Sequence, residues 1–160
     1  MHSKLLIPGL LLGLLAACSD QNQGHSHVHE EGGHVHTAPH DGELLILAEE
    51  FAHLELVLDR ETGTLDAYCL GAHASTPVRV VQPNLVVAFD AREGVEAFEV
   101  ELGAVASTLT GDTVGDASRF QVVEPRLKTT ADLGGHVSSI ECLGQSYTDV
   151  EFELHADSDE

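Results

Sequence analysis

The run His53-Leu54-Glu55-Leu56-Val57-Leu58-Asp59, followed by Arg60-Glu61-Thr62-Gly63 and then Leu65-Asp66-Ala67-Tyr68-Cys69-Leu70, decides the reading of this chain. Successive side chains of a strand point to opposite faces. Leu54, Leu56 and Leu58 therefore share one face, and His53 lies on the other. Residues 60–63 supply a hairpin turn and residues 65–70 the return strand. The same pattern extends in both directions. Residues 44–47 are a short apolar run suited to a strand buried on both faces. Residues 78–81, 85–89, 98–102 and 118–123 read as further strands. Residues 107–117, rich in Gly, Asp, Ser and Thr, read as a long loop. Pro125 opens a helical turn or two through residue 131, at a position where proline is tolerated. Residues 137–143 and 147–154 form a closing hairpin across Leu143-Gly144-Gln145-Ser146. Short strands with one inward and one outward face predict an all-β domain over residues 43–155. It is an antiparallel β-sandwich or a small barrel of about eight or nine strands. The alternating long helices of an α/β fold are absent from the pattern.

Residues 1–17 carry a lone Lys4 and an apolar run too short to span a bilayer. Leu15-Ala16-Ala17-Cys18 closes that run and resembles the lipobox of bacterial lipoproteins. The resemblance implies cleavage before Cys18, lipid on Cys18 and a place in the cell envelope. The alternative is an ordinary secretory signal with Cys18 as a bystander. Ser19 and Asp20 after the cysteine resemble outer-membrane sorting in some lipoproteins. Stable attachment takes two or more acyl chains, which the lipobox product resembles.

Residues 18–42 form a polar stretch that cannot bury enough surface to fold and read as a disordered tether. Residues 156–160 are an acidic tail. The full chain has 27 acidic and seven basic residues. Without Lys4, six basic residues remain and the formal charge is −21. That charge disfavours nucleic acid and anionic headgroups and attracts cations. Of three cysteines, setting Cys18 aside leaves Cys69 and Cys142. In an oxidising compartment these are expected to form a disulfide, the alternative being two buried thiols.

The strongest chemical signal lies in the tether. His25, His27, His29, His34, His36 and His40 place six imidazoles within 16 residues, with Glu30 and Glu31 among them. Residues two apart in an extended chain point the same way. Neutral imidazole binds Zn²⁺, Cu²⁺ and Ni²⁺, and carboxylates can complete a shell. Protons compete for the same nitrogens, so such binding weakens below about pH 6. The alternative is a His-rich spacer. His53, His73, His136 and His155 read as ordinary surface or edge residues. Gly111-Asp112-Thr113-Val114-Gly115-Asp116 lacks the ligand pattern of an EF-hand and reads as a solvated turn. No nucleophile–base pair or phosphate-cradling loop stands out, so the chain reads as a non-enzyme.

Pro39-His40-Asp41-Gly42, then residues 51–59, then Gly63-Thr64-Leu65-Asp66-Ala67-Tyr68-Cys69-Leu70, resemble a small module of exported bacterial proteins. It occurs ahead of the periplasmic adaptor subunits of heavy-metal efflux pumps and in small free-standing lipoproteins. The likeness covers mainly residues 39–81. It implies an accessory metal-handling role, with His40 and His53 as the candidate ligands at matching positions. The long helical hairpin and lipoyl-like domain of an adaptor find no room in this chain. Two readings follow. One is a lipid-anchored envelope protein that binds zinc, copper or nickel through its His-rich segment, accessory to metal homeostasis or efflux. The other is an envelope interaction module whose His segment is a spacer.

Overall fold

The computed structural model describes residues 36–47 and 50–156. Eight strands follow in chain order: β1 (Glu43–Leu47), β2 (Ala52–Asp59), β3 (Thr64–Gly71), β4 (Asn84–Phe89), β5 (Phe98–Ala104), β6 (Arg119–Val123), β7 (Leu133–Cys142) and β8 (Gln145–Leu154). One turn of 3-10 helix, Pro125–Leu127, sits between β6 and β7. All strands belong to one antiparallel sheet, ordered β1-β2-β3-β6-β5-β4-β7-β8. Its ends, β1 and β8, approach each other without a shared hydrogen-bonded ladder. The result is a nearly closed barrel, the second of the two architectures expected from the strand pattern.

Alternation builds the interior. Leu54, Leu56, Leu65, Leu85, Leu102 and Phe120 are fully buried and meet inside the sheet. Leu127 of the 3-10 turn is buried in the same cluster. Prolines and buried apolar positions explain that short helix: Glu124 caps it by accepting from the Arg126 N–H, and Pro125 needs no donor there.

The β2–β3 hairpin forms as the opening stretch implies. Leu54 pairs with Cys69, Leu56 with Ala67 and Leu58 with Leu65. Asp59 accepts from the Glu61 and Thr62 N–H groups, and Gly63 takes the left-handed conformation the turn needs (φ 73°). Arg60 then donates to the carbonyls of Thr129, Ala131 and Leu154, tying this turn to the end of β8. The closing hairpin is tighter than its sequence suggests. Leu143 and Gly144, both at positive φ (53° and 76°), make a two-residue turn, so Gln145 and Ser146 join β8.

One expected strand is missing. Residues 78–81 make only the isolated bridge between Val80 and Ala117, while Pro77 bridges Leu70. The backbone of this segment divides between two partners, the Val78 N–H donating to Cys69 and the Val80 N–H to Ala117, so no continuous ladder to one strand forms.

The expected Cys69–Cys142 disulfide is not formed. Cys69 on β3 and Cys142 on β7 are free, buried thiols in the common core cluster. Burial pushes the Cys69 thiol well above its ordinary range, and the neighbouring Cys142 adds to that effect. Burial also raises Cys142. Apolar packing from both walls surrounds the two sulfurs and favours the protonated form of each.

Candidate functional site

The outer face of β2 departs from the expected exposed face. His53 and Glu55 are both completely buried there. Their cover is residues 36–42, the end of the His-rich segment, which is seated on the sheet rather than free of it.

Glu55 is the seat. One carboxylate oxygen accepts the N–H groups of His40 (2.8 Å) and Gly42 (3.1 Å), and the other meets His40 Nδ1 at 2.6 Å. A buried carboxylate with three donors is a satisfied one. The register explains the position: Glu55 lies opposite Tyr68, and Tyr68 opposite Arg119. The His40 ring stacks on Tyr68, with centroids 3.8 Å apart and planes 12° apart. Arg119 crosses the same ring at 5.5 Å and pairs with Asp66. Asp41 at φ 59° turns the chain so that the amides on both sides of it reach one oxygen. A Cβ at Gly42 would overlap the Leu56 carbonyl and the Val57 side chain, so only glycine fits against the strand.

A second group of side chains lies one step along β2. The His36 ring stands edge-on to His53 with centroids 4.8 Å apart, and 5.8 Å from His73. His36 Nε2 lies 3.8 Å from a Glu50 carboxylate oxygen. His73 reaches the group because the chain reverses after β3. The Gly71 N–H donates to Thr76, the Ala74 N–H donates to Gly71, and Ala74 adopts φ 49°. His53 Nδ1 lies 3.1 Å from the Gly71 carbonyl. A carbonyl can only accept, so Nδ1 carries a proton, and in the neutral ring Nε2 is the nitrogen that offers a lone pair. His53 Nε2 and His36 Nε2 are buried and find no hydrogen-bond partner among the described residues. No group of three or more His, Cys, Asp or Glu side chains among the described residues is arranged, as it stands, to hold a metal ion.

Of the expected metal ligands, His36 and His40 are thus placed, four residues apart and in different surroundings. Cys18, His25, His27, His29 and His34 lie outside the described residues. His53, which spacing alone read as a surface or edge residue and which the resemblance made a candidate ligand, joins His36, as does His73, read only as a surface residue. No spacing rule links positions 36, 53 and 73. The usable signal was the pair His53 and Glu55 on a strand whose other face was already committed to the core. His136 and His155 are, as expected, surface residues, 3.8 Å from Asp149 and Asp132 respectively.

The seam between β1 and β8 holds a cleft of about 600 Å³. Leu45 and Phe152 line it, with Glu43, Asp90, Asp149, Glu151 and Glu153 as carboxylates. Among the described residues no helix is long and apolar enough to cross a membrane.

Fold and site together define an all-antiparallel, barrel-like domain with a His-bearing leading segment docked on its outer wall. Comparison with family models, curated proteins and solved structures gives no match to this chain.

Proposed function

We propose that this protein is a lipid-anchored component of a bacterial cell envelope that captures a transition-metal cation through its His-rich segment. The observation that carries this reading is the seating of His36 and His40, the last two histidines of the run, against the barrel beside two further histidines. A spacer needs no such seat. Cys18 is the lipid site, and zinc, copper and nickel are the cations that imidazole donors favour. The excess of carboxylates raises the local cation concentration within roughly 8 Å of the surface at physiological salt. The resemblance to the module ahead of heavy-metal efflux adaptors points the same way, toward an accessory role in metal homeostasis or efflux. Calorimetric titration of the full chain with Zn²⁺, Cu²⁺ and Ni²⁺ tests this. Binding tighter than on the order of 100 μM is expected for at least one of them. Weaker binding of all three ends the metal reading. Anchoring is tested apart from it: Cys18→Ser shifts the protein from the membrane fraction to the soluble one.

A second reading has one observation of its own. The unpaired edges of β1 and β8 flank the acidic cleft, which suits an extended, lysine-bearing segment of an envelope partner added as a strand. Hydrogen exchange separates the readings: such a partner protects the β1 and β8 amides, whereas metal protects residues 36–42.

A further inference from the structure

We infer that His36, His53 and His73 form one specific three-imidazole centre for a divalent cation of the zinc or copper type, with Glu50 as its carboxylate neighbour. The inference rests on the metal reading above and goes beyond it. It moves the tight site from the run of histidines to the junction of that run with the barrel.

Three independent observations carry it. The first is spacing. With Zn–N bonds of about 2.0 Å and tetrahedral angles, imidazole ring centroids around one ion stand roughly 5 Å apart. The His36–His53 and His36–His73 separations are 4.8 Å and 5.8 Å. The second is the state of the nitrogens. His53 is wholly buried, His36 keeps 10 % of its side-chain exposure, and the Nε2 atom of each is buried without a hydrogen-bond partner among the described residues. A buried, unpaired ring nitrogen costs free energy that a metal bond would offset. The third is the hydrogen bond from His53 Nδ1 to the Gly71 carbonyl. Metal-bound imidazoles characteristically give their other N–H to such an acceptor, which fixes the tautomer and the ring.

Imidazole donors with a single carboxylate suit zinc or copper and exclude the all-oxygen shells of calcium and magnesium. What the three rings lack is a common aim. His73 is exposed and free to turn, and His36 enters from the leading segment. Binding therefore draws these two rings onto the fixed His53.

The test is calorimetry of Zn²⁺ and Mg²⁺ binding to the full chain and to three variants. The variants are His73→Ala, His53→Leu and a chain in which His25, His27, His29 and His34 are all serine. His73 is exposed, so its replacement leaves the fold intact even where that of His53 does not. The expected result is one tight Zn²⁺ site in the full chain and in the fourfold variant, with no Mg²⁺ binding. His73→Ala weakens that site by at least about tenfold, and His53→Leu does so too. If His73→Ala binds as tightly as the parent while the fourfold variant loses the site, the centre is refuted and the run alone is the metal ligand. If no chain binds Zn²⁺, the centre and the metal reading fall together.

Discussion

Glu55 decides at the level of single residues whether the His-rich segment belongs to the barrel. Its carboxylate collects two backbone N–H groups and one imidazole, all from residues 40–42. Replacing it with alanine leaves those donors facing an apolar hole. Glu55→Ala is therefore expected to cost roughly 2–4 kcal/mol in urea unfolding and to speed amide exchange at His40 and Gly42. Unchanged exchange there contradicts the seat. Cys69 makes a different prediction. Burial holds its thiol protonated well above the ordinary range, with Cys142 adding to the effect. A group raised in the folded state keeps its full stabilising effect below the unfolded thiol value and loses it as pH climbs above that value. Stability should thus fall as pH passes about 9, and native protein should resist thiol reagents that modify it at once in urea. Prompt modification of the native chain runs against the buried free pair.

Among the elements, β2 and β3 were almost fully legible, because a period of two with leucine on one face admits a single strand orientation. Their outer face was not. His53 and Glu55 look exposed from alternation alone, and what buries them is a segment whose composition predicts no fold. That is a limit of local pattern: Glu55 recruits residues 36–42 by three directed hydrogen bonds, not by apolar area. Residues 78–81 failed in the opposite sense, since valine content suggests a strand, whereas the Val78 and Val80 amides go to two different partners, Cys69 and Ala117. The Cys69–Cys142 bridge followed from counting thiols, and counting carries no geometry. The core offers its own check. Gly135 pairs with Phe89 where β4 meets β7, and a Cβ there would run into the Ala88 carbonyl. Gly135→Ala is expected to destabilise by roughly 2–4 kcal/mol. A neutral effect in thermal unfolding contradicts that register.

For the whole molecule, charge and closure dominate. A formal charge of −20 makes the compact state repel itself, so salt should raise the melting temperature of the metal-free chain. Acid acts through particular carboxylates. Hydrogen bonds from Thr62 lower Asp59, and Arg126 holds Glu124 at about 2. Groups lowered in the fold stabilise it above the ordinary carboxylate range and lose that effect as pH falls through their folded values. An acid melt should therefore steepen between about pH 4 and pH 2. Arg60, which binds carbonyls just before β7 and at the end of β8, helps hold the barrel shut without a β1–β8 ladder. On the proposed metal reading, the His run collects the cation and the outer wall of β2 captures it. Ring-nitrogen NMR of the full chain during Zn²⁺ addition tests that claim most directly. The account predicts that His53 Nε2 and the rings of His36 and His73 shift with the first equivalent, before any other histidine. A first equivalent that leaves the His53 ring untouched while others shift would contradict it.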